Sequence, residues 1–254
     1  MLRAHRGYLP WIAANAVGVE IQDLIHPDAS TPVMADRFDG LADFWGAALS
    51  PHSLPVSFHG PSIAEMLYHE GSRQAACQIL DRSMDTAASL GARYFIVHPE
   101  MGATLAAGGE SFGRVLRGWQ AALHVAKRHN LTLLLENTNE DSPAPLRRLT
   151  ASLESPSLGI CFDVGHAHLR SRSSSEGWVE AFGSDLHYIH LYNTTQAEGR
   201  HQALGEGEVD VEGILDHLAE SAPGVRVCLE MDLPAILESV PWLVARGLFS
   251  PKTP

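Results

Sequence analysis

Seven short apolar runs recur along this chain, each bounded by turn-forming residues and rich in β-branched or aromatic side chains. They span residues 17–22, 55–59, 94–98, 131–136, 158–163, 188–192 and 225–230. Their nearly continuous apolarity is typical of parallel strands that are covered on both faces. Apolar residues at helical spacing, such as Phe112, Val115, Trp119 and Leu123, lie between the runs. This alternation of strand and helix patterns predicts parallel βαβ units.

The chain has 254 residues, a length that a single α/β barrel fills, so we expect one domain over residues 1–254. Seven runs predict seven strands, and an eighth strand has to come first, within residues 1–7. That segment has a weak strand pattern, so the sequence predicts a (β/α)8 barrel with an abbreviated first strand. A doubly wound open sheet is the alternative, although no Gly-x-Gly-x-x-Gly motif or phosphate-binding loop follows any run.

Composition excludes several classes of protein. Hydrophobic residues make up 45% of the chain, which is enough for a packed core. Lys and Arg number 18 against 30 Asp and Glu, and the net charge of −12 disfavours binding to nucleic acid or to anionic membranes. The three cysteines are far apart and form no disulfide framework. We expect a cytoplasmic protein, because no run is long enough to span a membrane and no clean signal peptide is visible.

Metal-capable side chains end five of the seven runs, and a sixth, His190, stands within the run 188–192. These residues are His59, His98, Glu136, Asp163, His190 and Glu230, spaced by 27 to 40 residues, or about one βα repeat. Because parallel strands point the same way, we expect the six side chains to meet at the C-terminal rim, where barrel enzymes carry their active sites. Three carboxylates brought together without a counter-charge repel one another, and a divalent cation relieves that repulsion. The pattern therefore predicts a metal site.

Two further histidines follow these strand ends. The sequence Asp163-Val-Gly-His166 lets one turn present both polar residues to a common site. The loop after His190 contains Arg200 and His201, and we expect His201 to bind either the metal or a substrate and Arg200 to help shape the pocket. Oxygen and nitrogen ligands without thiolates suit Mn²⁺ or Zn²⁺, with Co²⁺ and Fe²⁺ also open. More than five ligands leave room for two or three ions.

The residues resemble the xylose isomerase-like TIM barrel superfamily, which contains sugar (phosphate) isomerases and epimerases and also endonuclease IV. The resemblance covers about residues 17–230. Its carrying segments are Val17-Gly-Val-Glu-Ile21, Phe95-Ile-Val-His-Pro99, Leu134-Leu-Glu-Asn-Thr138, Gly159-Ile-Cys-Phe-Asp-Val-Gly-His-Ala167, Ile189-His-Leu-Tyr-Asn193, His201 through Val209, and Leu229-Glu230. The resemblance implies that Glu136, Asp163, His190 and Glu230 form the metal site shared by the sugar isomerases. It also implies that His59, His98, His166 and His201 match further ligands of the endonuclease IV type.

The first functional hypothesis is a metal-dependent isomerase or epimerase acting on a small sugar or sugar phosphate through a metal-stabilised enediolate. Glu136 and Glu230 are the expected catalytic residues, one removing a proton next to the carbonyl and the other returning it. His166, His201 and Arg200 are the expected contacts to the substrate. We expect a carbohydrate partner and no membrane partner, and a homo-oligomer is left open.

The alternative is an endonuclease IV-like phosphodiesterase that acts on abasic DNA. The number of histidines supports this alternative, but the acidic composition and the scarcity of basic residues in the loops after the strands oppose it. This chain also has Gly199 where the family often has an acidic residue, two positions before His201. A metal count separates the two activities, since one ion favours the isomerase and three ions favour the nuclease. A barrel that binds metal and a ligand without catalysis is a third hypothesis.

Overall fold

The computed structural model describes residues 8–14, 18–22, 35–101 and 110–249. Its strands are Val19–Ile21 (β1), Val56–His59 (β2), Ala92–Val97 (β3), Thr132–Glu136 (β4), Leu158–Asp163 (β5), Leu186–Leu191 (β6) and Arg226–Leu229 (β7). Its helices are Leu9–Ala14 (α1), Ala35–Leu49 (α2), Ala64–Tyr68 (α3), Glu70–Ser89 (α4), Glu110–Arg128 (α5), Ala144–Leu153 (α6), Val164–Arg170 (α7), Ser175–Phe182 (α8), Val211–Ser221 (α9) and Leu233–Ala245 (α10). All seven predicted strands are present, each within two residues of its predicted bounds.

The seven strands form one parallel sheet in which each strand pairs with the next along the chain, in the order β1 to β7. A doubly wound sheet reverses its strand order part-way, so the consecutive order excludes that alternative. Within the described part of the chain, β1 and β7 share no backbone pairing, so the barrel is nearly closed, with a seam between its first and last strands. Residues 1–7, expected to form the abbreviated first strand, lie outside the described residues.

Side chains inside the barrel are arranged in layers, because every second residue of a strand faces the interior. The lower layer is an apolar plug, named here the barrel plug, of Tyr94, Ile96, Leu134, Cys161 and Tyr188, with Cys228 packed against it. Two positions further along the same strands come His98, Glu136, Asp163, His190 and Glu230. The alternation that buries the plug therefore also lifts these polar residues together to the C-terminal rim.

Large aromatic residues join the helices to the outside of the sheet. Trp178 of α8 is fully buried, and its ring stacks on Phe162 of β5 with centroids 5.6 Å apart. Trp119 of α5 is buried as well, and its indole N–H donates to the Tyr68 hydroxyl at 3.0 Å. The first contact fixes α8 against β5, and the second joins α5 to α3 within the outer layer. None of the described helices is both long and apolar enough to cross a membrane.

We predict that Leu134→Ala lowers the free energy of unfolding by about 2–5 kcal/mol, because Leu134 is fully buried in the barrel plug and its truncation leaves a cavity. Urea denaturation followed by circular dichroism measures the change. Leu248→Ala is the matched control, since Leu248 is 36% exposed and its truncation should change stability by no more than about 0.5 kcal/mol. Equal effects of the two substitutions would show that the plug is not part of the stabilising core.

Candidate metal centre

The strand-end residues converge into two adjoining groups of candidate metal ligands. Glu136, Asp163, His190 and Glu230 place one ligand atom each within 4.8 Å of one another, and we call this set the four-ligand position. His59, His98 and Glu136 do the same, and we call them the three-ligand position. Glu136 belongs to both sets, so one carboxylate lies between the two positions.

Short distances hold the two positions together. The Nδ1 atom of His190 lies 3.2 Å from Oε2 of Glu136 and 3.1 Å from Oε2 of Glu230. On the other side, Nε2 of His59 lies 3.1 Å from the same Glu136 oxygen and 3.2 Å from Nε2 of His98. Oε2 of Glu136 is therefore the atom on which the two positions meet.

Buried atoms without partners show that a cation suits the four-ligand position. Oε1 of Glu136, Oδ2 of Asp163 and Nδ1 of His190 are all buried and have no hydrogen-bond partner within the described residues. A buried polar group left without a partner costs about 1–3 kcal/mol. All three atoms belong to residues of the same ligand set, and a divalent ion would satisfy them together. The donors present therefore fit a metal ion of the Mn²⁺ or Zn²⁺ type.

The histidines are oriented as metal ligands usually are, with one ring nitrogen held by a hydrogen-bond acceptor and the other left for the ion. Nδ1 of His59 donates to the Gly60 carbonyl at 3.0 Å, and Nδ1 of His166 donates to the Asn137 carbonyl at 2.9 Å. Nδ1 of His201 donates to the carbonyl of Glu230 at 2.5 Å. Because a carbonyl can only accept, these nitrogens carry the protons, and Nε2 of each ring is available for coordination.

His190 is held the opposite way round. Its Nε2 donates to Oε2 of Glu20 at 3.0 Å, which leaves Nδ1 facing Glu136 and Glu230. Burial opposes a charge on His190, but Cys161, Glu20, Glu230 and Glu136 together raise its pKa well above the usual range. In the absence of metal, the imidazolium thus supplies the positive charge that the surrounding carboxylates require.

Protons compete with a metal at several of these residues. Burial, together with the charges of Glu230 and Glu136, raises the pKa of Asp163 to about 7 against the opposing effects of His166 and His190. Burial acts against a charge on His98, yet Glu136 raises its pKa to about 9. Burial alone would raise the pKa of Glu230, but His190 holds it at about 2. Coordination of a metal by Asp163, His98 and His190 would therefore release protons at neutral pH.

The Asp163-Val-Gly-His166 motif has a clear local cause. Asp163 ends β5 and caps α7, and its Oδ1 accepts the backbone N–H of His166 at 2.6 Å. The side-chain amide of Asn137 exchanges two hydrogen bonds, both 2.8 Å long, with the backbone of Asp163. These bonds fix the ends of β4 and β5 relative to each other, so Glu136 and Asp163 are held at a constant spacing.

Tyr192 connects the α7 turn to the loop that carries His201. A Cβ atom at Gly165 would lie only 2.1 Å from the Tyr192 ring, so only glycine permits this approach. The Tyr192 ring also stacks on the His201 ring, with ring centroids 3.7 Å apart and planes within 14°. Tyr192 thereby holds the His201 ring beside the metal ligands.

The glycines of the loop after β6 serve a tight backbone path. Asn193 donates from its side-chain amide to the carbonyls of Leu204 and Val209, at 3.0 and 3.3 Å. Gly207 has a positive φ of 83°, and a Cβ atom there would lie 2.5 Å from Oδ1 of Asn193. This folded-back loop, rather than a phosphate cradle, holds the segment that contains His201.

The structure brings together all of the predicted ligands on the strands, and it brings His166 and His201 to the edge of the same site. Arg200 is different, since its side chain is 73% exposed and pairs with Glu198 at 2.6 Å on the surface. The roles assigned to these residues stay predictions. Sequence reasoning missed Glu20 and Gln22, which alternate with Val19 and Ile21 in the first apolar run and so share the interior face of that run.

A family profile covers nearly the whole chain. The sequence profile of the xylose isomerase-like TIM barrel family matches residues 13–246. The chain belongs to this family. The resemblance of its motifs and the predicted barrel class are both confirmed by this match and by the parallel sheet. A comparison with curated proteins gives no match.

Several solved structures have the same fold as this chain. The TTHB071 protein from Thermus thermophilus, soaked with ZnCl2, is 25% identical with a TM-score of 0.72, and the alignment covers 96% of this chain and 94% of that one. A D-tagatose 3-epimerase-like protein is 18% identical with a TM-score of 0.70, covering 89% and 87%. An L-ribulose 3-epimerase is 16% identical with a TM-score of 0.70, covering 97% and 89%. At the identities of the two epimerase structures, the likeness establishes the fold.

We predict that the affinity for Mn²⁺ rises with pH between 6 and 8. Below a pKa of about 7, Asp163 carries a proton that a metal in the four-ligand position would have to displace, and the raised pKa of His190 adds a second proton there; a metal in the three-ligand position would displace the proton that His98 holds with a pKa of about 9. Each proton displaced weakens binding by about tenfold per pH unit on the acid side of its pKa. Isothermal titration calorimetry in buffers of different ionisation enthalpy counts the protons released. An affinity independent of pH, with no proton release, would contradict the assignment of Asp163 as a ligand.

Proposed function

We propose that this chain is a divalent-metal-dependent sugar isomerase or epimerase. The observation that carries the proposal is the four-ligand position, where two glutamates from opposite sides of the barrel, Glu136 on β4 and Glu230 after β7, flank one site with Asp163 and His190. Mn²⁺ or Zn²⁺ is the proposed metal, since carboxylate and imidazole ligands without thiolate suit both ions. Burial raises the pKa of the nearby Cys161 thiol well above its usual range, which keeps the thiol protonated and disfavours it as a ligand.

A bound divalent ion would supply Lewis-acid stabilisation of the negative charge that develops on the oxygens of the substrate. The protein residues move the proton. One glutamate accepts the proton from the carbon next to the carbonyl as the C–H bond breaks, and the other donates a proton to the opposite face or to the neighbouring carbon. His166 and His201 each form a hydrogen bond through Nδ1, which leaves Nε2 free of that bond. We propose that these Nε2 atoms hydrogen-bond a hydroxyl group of the substrate.

The two glutamates differ in how firmly they are held. Oε1 of Glu230 accepts a hydrogen bond from Gln22 at 2.8 Å, whereas Oε1 of Glu136 has no hydrogen-bond partner within the described residues. A carboxylate oxygen without a hydrogen bond is the better proton acceptor, so Glu136 is proposed as the residue that removes the proton. Glu230, after it has taken up a proton, donates that proton to the carbon.

Several structural neighbours support a carbohydrate substrate. Beside the D-tagatose 3-epimerase-like protein and the L-ribulose 3-epimerase, the fold resembles a 3-keto-D-glucoside 4-epimerase from E. coli, with 18% identity and a TM-score of 0.66. The names of the two epimerases denote keto sugars that are inverted at the carbon next to the carbonyl group. We propose a small keto sugar as the substrate class for this chain.

Glu136→Gln should lower the rate of proton–deuterium exchange into a ketose by about 10²–10⁴-fold, because an amide cannot accept the proton. The exchange is followed by NMR over a panel of ketoses in D2O with saturating Mn²⁺ or Co²⁺, and the metal content is measured in parallel. Glu180→Gln, on the exposed face of α8, is the control and should exchange at the wild-type rate. Wild-type protein that is loaded with metal and exchanges none of the ketoses would refute the proposed function.

The three-ligand position favours a second candidate function. His59 and His98 beside Glu136 offer a second ion a place that a single-metal isomerase does not need, and two adjoining ions are typical of phosphodiesterases. We therefore keep an endonuclease IV-like hydrolase of abasic DNA as the second proposal, against the net charge of −12.

Metal stoichiometry and one substitution separate the two functions. If the three-ligand position binds a metal, His59→Ala should reduce the measured content by one ion per chain and leave the four-ligand position filled. The isomerase proposal expects His59→Ala to retain ketose exchange, whereas the hydrolase proposal expects incision of an abasic duplex by the wild type and its loss in the variant. Inductively coupled plasma mass spectrometry counts the ions, and a labelled duplex reports incision.

A further inference from the structure

Two polar residues at the first strand remain outside the roles assigned so far. Glu20 lies in β1, and Gln22 is the first residue after that strand. Both side chains face the interior of the barrel, and the two residues are 5% and 8% exposed to solvent. Neither belongs to a strand that carries a predicted ligand. Burying a carboxylate is costly unless it is paired and hydrogen-bonded. Their position beside the metal centre therefore needs an explanation.

The explanation is a chain of hydrogen bonds that starts and ends on metal ligands. Nε2 of His190 donates to Oε2 of Glu20 at 3.0 Å. The side-chain amide of Gln22 donates one hydrogen to Oε1 of Glu20 at 2.6 Å and the other to Oε1 of Glu230 at 2.8 Å. Since Oε2 of Glu230 lies 3.1 Å from Nδ1 of His190, the four side chains close a ring.

This ring spans the seam of the barrel. Within the described residues β1 pairs through its backbone only with β2, and β7 only with β6. A cavity of about 390 Å³ lies at the seam, lined by Val19 and Glu20 on one side and by Val227 and Cys228 on the other. The side-chain bonds from Glu20 and Gln22 thus connect strands that no described backbone hydrogen bond connects, and they do so at the level of the ligands.

The chemistry of the ring favours one state of each ligand. A carboxylate only accepts, so Glu20 keeps a proton of His190 on Nε2, and once Nδ1 has given up the second proton of the imidazolium its lone pair faces the other ligands. Gln22 holds one oxygen of Glu230, so only Oε2 of Glu230 remains to face the site. Outer contacts of this kind orient ligands, and their loss commonly weakens metal binding by about 10- to 100-fold.

We propose that Glu20 and Gln22 are positioning residues, which fix the tautomer of His190 and the rotamer of Glu230 across the seam and so set the metal affinity of the four-ligand position. The proposal rests on the metal site of the proposed function and not on its sugar chemistry.

The test compares Glu20→Gln and Gln22→Met with the wild type, and Glu220→Gln, on the exposed face of α9, is the control. Glu20→Gln keeps the size of the side chain but turns one acceptor into a donor, which faces the donating amide of Gln22. We expect the dissociation constants for Mn²⁺ and Zn²⁺, measured by competition with a fluorescent chelator, to rise about 10- to 100-fold in Glu20→Gln. Gln22→Met should raise them by about tenfold, and Glu220→Gln should leave them unchanged.

A spectroscopic readout separates positioning from a general loss of stability. In the Zn²⁺-loaded wild type, ¹⁵N NMR of the histidine side chains should show His190 protonated on Nε2, with that proton shifted downfield by the bond to Glu20. The shift should be smaller in Glu20→Gln, because the remaining amide oxygen is an uncharged and weaker acceptor, and it should be kept in Gln22→Met. If Glu20→Gln does not fold, the loss of affinity in Gln22→Met decides the proposal.

The outcomes are distinct. Folded variants with wild-type affinities and an unchanged His190 proton would overturn the positioning role and leave the proposed function intact. Weakened metal binding in the variants, together with a wild type that exchanges no ketose, would support the positioning role and refute the sugar chemistry. A wild type that binds neither ion would overturn both.

Discussion

Mutual repulsion between buried carboxylates is the constraint on which the rest of the site depends. Glu20, Glu136, Asp163 and Glu230 are all at least nine-tenths buried within one end of the barrel. Such a cluster is tolerable only with compensating positive charge, bound protons or hydrogen-bond donors. The protein uses all three, in the raised pKa of His190, the raised pKa of Asp163 and the amide of Gln22. A divalent cation would replace the first two and leave the third in place.

The barrel can hold this cluster because its interior has two layers, an apolar plug that stabilises the fold and a layer of candidate metal ligands above it. Leu134 and Cys161 belong to the apolar plug, and Glu136 and Asp163 follow them by two residues on the same strands. One pattern of alternation therefore determines both layers, and a shift of register by one residue would turn both the ligands and the plug outward against the helices. Asn137, bonded to the backbone of Asp163, fixes that register at the point where it matters for the ligands.

Much of this arrangement follows from the sequence, for a physical reason. The apolar runs predict the strands, and parallel strands bring their C-terminal ends to one rim, so residues such as His98 and His190 could be grouped without a structure. Glu20 and Gln22 could not be assigned in the same way, because β1 has only three residues and the polar side chains stand within and directly after it, inside the apolar run. Arg200 shows the opposite limit, since a loop residue next to His201 in sequence points away to Glu198. Strand periodicity determines where side chains point, whereas loop conformation depends on contacts such as those of Asn193.

Glu136 belongs to both candidate metal positions. Its two carboxylate oxygens therefore have different surroundings. Its Oε2 atom faces His59 and His190, while Oε1 has no hydrogen-bond partner within the described residues and lies 3.6 Å from Nδ1 of His166. A single ion held by the four-ligand position would need only one oxygen of Glu136, and the other oxygen would stay available for proton transfer. Ions held by both positions would draw on Glu136 from both sides and leave it a weaker base. Under the two proposed functions, occupancy of the position formed by His59 and His98 would therefore be the physical variable that separates proton transfer on a sugar from hydrolysis of a phosphodiester.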